Sequence, residues 1–578
     1  MFSNEWDRLH RDKIFTKDDE EKRANFINNG NFIVKYQELE SISIEFDCLY
    51  LDCSWNKICR IDNLLNAYHL LVFECNSNKI ERLDVHVLIN LKSLSCNFNN
   101  LKYIDGLECC ENLVSLHCYM NDLVELDLKN LSKLENLSCS NNKINMLKNL
   151  QDCTNLKQLI CWRNQLTSLN LKNLNELELL DCSENKLKQE KFIGLQDCRA
   201  LNILKCNSNL FHIIDLNGLY NLKELNCSNN HLHSIIGIYY CQNLEILNFD
   251  ENEIHSIYIG SLKNLTDLSC KHNSFSNTYS IFGIEECIKL KKISLSDNSM
   301  HFLDLRNVVG ITHFNVSSNC LGNTFNYMDW KNLQYLNCSN NLITENISLE
   351  NMIHLYELDC SNNELKSIKG LEKCIKLYHF NCSHNRIRRL NLCQDKENIL
   401  QFLNCSHNDL VELEIDGCIY LEDLDCSSNK ITQLKITENP NIKNINIKSN
   451  KIAIIEKKRK NLKIHIDIYT KIIYLDDNLS DLKMKIENLR NMDLSSENIP
   501  ICSMCRSIPL YPVKNVVGNH IQTYCKECSI RWFVIERKNK DPNTGIFMFN
   551  SMKEDVIFNQ LYERIIQMLY SKYFRIIV

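Results

Sequence analysis

Leu91-Lys92-Ser93-Leu94-Ser95-Cys96-Asn97-Phe98-Asn99-Asn100-Leu101 is the stretch that decides the architecture. Leu94 and Cys96 alternate with Ser93, Ser95 and Asn97, the period-two signature of a short strand with one buried face. Asn99 follows, where the chain turns, with a side-chain amide able both to donate to and to accept from backbone groups of adjacent turns. The pattern Leu-x-x-Leu-x-Cys-x-x-Asn-x-Leu recurs nineteen times, its asparagines running from Asn56, Asn78, Asn99 and Asn121 to Asn450 at intervals of 21–25 residues. One such segment cannot bury its apolar face alone, whereas stacked copies share a continuous core.

A fixed period of this length with this core resembles the leucine-rich repeat, over residues 46–450. The resemblance implies an α/β solenoid of about nineteen short repeats, with parallel strands lining a concave face. Fifteen of the central core slots, Cys53, Cys75, Cys96 and Cys118 among them, hold cysteine. Phe249, Leu295, Val316 and Ile447 take the same slot elsewhere, so the thiol there acts as a small hydrophobe. A second file, Cys110, Cys153, Cys198, Cys241, Cys287, Cys374 and Cys418, stands three residues before the first core Leu-like position and is expected near the opposite wall.

The chain has 578 residues, 31 cysteines and 44% hydrophobic content, ample for a large core. No basic-apolar-small leader opens it and no apolar run is long enough to span a membrane. Asn136, Asn226, Asn337, Asn381 and Asn404 open Asn-x-Ser sequons on expected concave strands, where glycans would block the surface. So many cysteines would suggest disulfides in a secreted protein, but the periodic core accounts for at least half of them, and the sequons favour a reducing, cytoplasmic setting, with a nuclear one as the alternative. The net charge of −6 divides into −13 over residues 1–450 and +7 over 451–578. An acidic solenoid disfavours general nucleic-acid binding.

Residues 1–45 are charged and expected as a partly helical N-terminal cap. Residues 451–498 are expected as a C-terminal cap and helical linker. Within the linker, Leu475, Leu479, Leu482, Ile486 and Leu489 follow a 4-3-4-3 spacing. That stripe fits a helix packed on the solenoid end or, alternatively, a short dimerising coiled coil.

Residues 499–578 depart from the repeat. Cys502, Cys505, Cys525 and Cys528 form two Cys-x-x-Cys pairs nineteen residues apart, a set that suits one tetrahedral structural Zn²⁺. Around them, Pro512-Val513, Gly518, Tyr524, Trp532 and Asp541-Pro542-Asn543-Thr544-Gly545 follow one another in an order that resembles a U-box, a relative of the RING domain of ubiquitin ligases. Tyr524 comes three residues late, which implies a small insertion. The four cysteines correspond to the first RING zinc site, while the second is lost, Gly518, His520, Asp541 and Thr544 standing where its ligands would be.

The resemblance implies an E3 ubiquitin ligase without a covalent nucleophile of its own. Its conjugating-enzyme contacts would be Met504, Trp532 and Pro542, and the solenoid would hold the substrate protein. Gly545 departs from the Arg or Lys that strong ligases often carry there, which puts activity in doubt. The competing reading is a non-enzymatic interaction scaffold or sensor with a structural zinc module. A nucleic-acid zinc module is the third, weakened by the absence of a His-Asn-His constellation.

On the solenoid, Ser, Asn and Asp are the default concave residues. Departures from that default, Trp55, His117, Tyr119, Met120, Ile160, Trp162 and Arg163, are the candidate substrate contacts, because exposed aromatics and arginine anchor interfaces.

Overall fold

The computed structural model describes residues 30–452 apart from 277–279, 323–329, 393–397 and a few single positions; beyond 452 it describes only six short strands. The chain divides into two compact units, Met1–Ile387 and Arg388–Val578.

In the first unit each repeat is one coil. The residues around the second Leu form a three-residue strand whose middle Leu is buried and which ends just before the Cys, as in Ser93–Ser95, Ser115–His117, Asn136–Ser138 and Gln158–Ile160. Successive strands pair in parallel and in strict register, Ser93 beside Ser115 and Ser115 beside Asn136. Leu94, Cys96 and Leu101 are wholly buried, as are their counterparts Leu116, Cys118 and Leu123. The cysteines of the central file form no disulfides with one another.

The repeat asparagine joins the coils. Asn121 Nδ2 donates to Cys118 O (3.1 Å) in its own coil and to Cys96 O (2.9 Å) in the preceding one, while its Oδ1 accepts from Leu101 N (3.0 Å). Asn78, Asn164, Asn230 and Asn363 repeat that arrangement. The ladder satisfies buried carbonyl and amide groups that no strand partner reaches, which is why the slot tolerates little besides asparagine.

The parallel array begins earlier than the repeat signature. Asn31–Ile33 pairs in parallel with Tyr50–Asp52, and Gln37 N and Leu39 N donate to Asn56 Oδ1. Val34 takes the cysteine slot and Gln37 the asparagine slot, so this coil escapes the consensus. Residues 1–29, the rest of the expected cap, lie outside the described residues.

The expected α/β label is corrected on the convex side: among the described residues there are strands and 3-10 turns, and no α-helix. A repeat of 21–22 residues leaves too few positions after the strand and the asparagine turn for an α-helix. Its leucines are spaced instead for short extended and 3-10 segments. These alternate. Glu125–Asp127 pairs in parallel with Met146–Lys148, and only the second coil continues into a 3-10 turn, Leu150–Asp152. The same doublet recurs at Arg82–Asp84 with Tyr103–Asp105 and at Ile213–Asp215 with Ser234–Ile236. The cysteine after the turn, as in Cys110, Cys153 and Cys241, is buried at the wall opposite the strands, as the second cysteine file implied.

In the second unit, Phe402–Asn404, Asp423–Asp425, Asn444–Asn446 and Lys463–His465 continue the parallel pattern among themselves. Asn429 and Asn450 reach back to Cys405 O and Cys426 O at 2.9 and 2.8 Å. Ile454–Lys457 pairs in parallel with Lys471–Tyr474. Pro512–Val517 pairs antiparallel with His520–Cys525 and with Lys553–Glu554.

Candidate functional site: the concave face of the first unit

Four columns of side chains face outward from the strand and the turn after it. The default residues spend their polarity on one another. Ser339 donates its backbone N–H (3.0 Å) and its hydroxyl (2.7 Å) to Asn337 Oδ1, and Ser361 does the same to Asp359 at 2.9 and 2.6 Å. Ser183 with Asp181 and Ser228 with Asn226 follow suit. A face built from such pairs offers a partner few unspent groups.

The residues before each asparagine slot break that uniformity. The position is left-handed in coil after coil, φ being 57° at Tyr36, 60° at Trp55, 54° at Phe98, 55° at Met120 and 55° at Arg163. Serine and asparagine fill it at Ser77, Asn141, Ser208 and Asn229. Asparagine suits a left-handed backbone, whereas bulky side chains raise its cost. The bulky residues therefore gain nothing locally, and yet they project outward: Tyr36 is 70% exposed, Trp55 54%, Met120 44% and Phe98 43%.

Two clusters result. Tyr36 and Trp55 stack with ring centres 5.7 Å apart, close to parallel at 16°. Phe98 and Tyr119 meet edge to face at 5.1 Å, and Tyr119 N donates to Asn97 Oδ1. Beside them Phe98, Met120, Asn121, Asp122 and Asn141 line a depression of about 400 Å³. His117 sits half-buried in the same coil, Nε2 2.9 Å from Ser115 Oγ, and burial pulls its pKa below the ordinary value. Ile160 and Trp162 are half-buried two coils further on, and Arg163 is exposed, its Nε 4.0 Å from Glu184.

The structure thus places His117 and Tyr119 on one coil and Ile160, Trp162 and Arg163 on the second coil after it, with the Asn136–Ser138 coil between. Trp55 lies three coils from Met120, about 14 Å at the spacing of paired strands. Reading by repeat missed Tyr36, hidden in a coil without the consensus, and Phe98. The position before the asparagine slot was the signal that could have found both.

A buried polar group lies next to the Tyr36–Trp55 stack. Asp52 is fully buried, Lys35 Nζ approaches it to 2.5 Å and Tyr50 donates to it at 3.1 Å. Glu74, in register with Asp52 on the next strand, is pushed up to about 6 by burial first and then by Asp52, against the pull of Lys35.

Met504, Trp532 and Pro542, and the zinc candidates Cys502, Cys505 and Cys528, lie outside the described residues, as does the 475–489 stripe. Cys525 ends the strand His520–Cys525, opposite Pro512. Among the described residues no helix is long and apolar enough to cross a membrane.

Comparison with known proteins identifies the fold. A family model described as Leucine Rich repeats (2 copies) matches residues 331–373. Among solved structures the chain is similar to YopM from Yersinia enterocolitica WA-314, at 20% identity, covering 80% of this chain and 98% of that one with a TM-score of 0.59. It is also similar to the functional domain of InlJ from Listeria monocytogenes, described as including a cysteine ladder (22% identity, 68% and 82% covered, TM-score 0.51). A third is the Arabidopsis receptor kinase HAESA in complex with the peptide hormone IDA and the co-receptor SERK1 (19%, 72% and 77%, 0.55). No curated protein matches the chain in sequence. The fold is a leucine-rich-repeat solenoid with parallel strands.

Proposed function

We propose that the chain is a protein-interaction scaffold whose concave face captures a partner protein through the clusters at Tyr36–Trp55 and at Phe98, Tyr119, Met120, Trp162 and Arg163. The observation that carries this is the contrast on one face. Self-paired Ser, Asn and Asp cover most coils, and strained, exposed aromatics stand on a few. Aromatic and arginine side chains held on a rigid scaffold supply most of the energy in protein interfaces. HAESA, of like fold, is a receptor found with a peptide hormone, which supports the same use of the surface here.

The finer reading is that this scaffold serves a ubiquitin ligase. The Cys502, Cys505, Cys525 and Cys528 set would hold one structural Zn²⁺, and Met504, Trp532 and Pro542 would dock a ubiquitin-loaded conjugating enzyme. What favours this over a plain scaffold is Asp541-Pro542-Asn543-Thr544-Gly545 in sequence with Trp532 and the Cys-x-x-Cys pairs. The module would fix the geometry of the thioester and leave the attack to a substrate lysine.

Two variants of the full chain test the readings separately. Trp55→Ala with Tyr119→Ala and Trp162→Ala should lose the proteins that the wild type captures, at melting behaviour within about 1 kcal/mol of it. Equal capture by both would remove the concave-face assignment. Pro542→Ala should abolish autoubiquitination across a panel of conjugating enzymes. Absence of ubiquitin chains from the wild type itself leaves the scaffold alone.

A further inference from the structure

Among the described residues, histidines and a glutamate gather just past the asparagine turns of three consecutive coils. The sequence there runs Phe211-His212, then His231-Leu232-His233, then Glu253-Ile254-His255. Phe211, Leu232 and Ile254 are buried, so the residues flanking them project outward. His231 N bonds to Phe211 O, His233 N to His212 O and Glu253 N to Leu232 O, all at 2.9 Å. Those bonds place His212, His233 and His255 in one row across the coils, with His231 and Glu253 in the row beside it.

The rings are already close. The centres of His212 and His231 lie 5.6 Å apart, and those of His212 and His233 6.0 Å. Glu253 spans two of them, Oε1 3.4 Å from His231 Nδ1 and Oε2 3.5 Å from His233 Nδ1. Imidazoles sharing a zinc at about 2.0–2.1 Å per nitrogen have ring centres roughly 5 Å apart. Among the described residues no group of three or more His, Cys, Asp or Glu is arranged, as the side chains stand, to hold a metal ion. Closure here asks for rotation of these side chains toward one another. The side chains of His231, His233 and Glu253 are 52%, 53% and 51% exposed, so rotation about their own bonds is unobstructed by packing. As an exposed ion pair, Glu253 with either histidine would contribute little stability in water.

We propose that His212, His231, His233 and Glu253 bind a Zn²⁺ ion on the edge of the solenoid, clamping adjacent coils. Three imidazoles and one carboxylate select zinc or a neighbouring transition metal over Ca²⁺ or Mg²⁺, which need mostly oxygen. The ion adds a link between coils already joined there by backbone bonds and by the asparagine ladder, so binding raises the resistance of this segment to unfolding by mass action. The site is distinct from the terminal cysteines and independent of the ligase reading.

The test uses the full chain carrying Cys502→Ser and Cys525→Ser, stripped of metal and titrated with Co²⁺ and then with Zn²⁺. The expected result is about one equivalent bound, with the d–d absorption of nitrogen and oxygen ligands and no thiolate charge-transfer band. Adding His212→Ala and His233→Ala should abolish it, with circular dichroism unchanged. Glu253→Gln should weaken it about tenfold or more. No stoichiometric binding to the cysteine variant, or binding that survives loss of both histidines, overturns the proposal.

Discussion

At the residue scale, the repeating cysteine is a hydrophobe that happens to carry an acid. Burial pushes the thiols of Cys53, Cys96 and Cys139 up to about 12 from an ordinary 9.0, and it raises Cys118 and Cys161 as well. An unfolded chain ionises these groups at the lower value. Their contribution to stability is therefore complete below pH 9 and is lost as pH rises toward 12. The melting temperature should fall steeply across that window, and Cys139→Val should make the fall shallower; a melting temperature that stays level across it would show that the thiols are not held neutral. The role of this slot was legible in the sequence, because Phe249 and Val316 occupy it too. The left-handed backbone before the asparagine was not legible. Nothing in Phe98 or Tyr36 taken alone announces a φ that the hydrogen bonds of the next coil impose.

At the element scale, the coils work in pairs. Where a second-coil outer strand meets its 3-10 turn, the chain goes left-handed at Gly106, Gly194 and Gly370. A Cβ at Gly106 would come within 2.4 Å of His86 N in the preceding coil, and one at Gly370 within 2.5 Å of Glu350 N. Both the dihedral and the close approach exclude a side chain. Gly106→Ala should destabilise the protein by about 2 kcal/mol or more, since the strained backbone and the clash add. Gly322→Ala, which meets nothing within 4 Å, should be near neutral. Chemical denaturation of the two variants checks this, and equal midpoints would refute it. The second cysteine file advertised this doublet at every other repeat, but the alternation of strand and 3-10 turn emerges only when neighbouring coils are paired.

At the scale of the whole molecule, a solenoid is a one-dimensional stack in which each coil leans on its neighbours. Asn121→Ala would strip bonds from Cys96 O, Cys118 O and Leu101 N together, at a cost of about 2–4 kcal/mol for the unsatisfied groups. Hydrogen exchange should then quicken in the coils around residues 96–142 and stay at the wild-type rate around 315–385 in the same unit. A uniform rise would mean that the first unit unfolds as one body. The spacing of leucine, cysteine and asparagine by itself determined the stacked parallel coils, the thiol core and the asparagine ladder. Those follow from local periodicity and from the need to satisfy buried backbone groups. The tertiary structure alone decided the extra coil at residues 30–37, the doublets of the convex side, the aromatic clusters of the concave face and the histidine row at 212–255. Each of these depends on which residues one full turn apart are laid side by side, and that registration is set by stacking rather than by any single repeat.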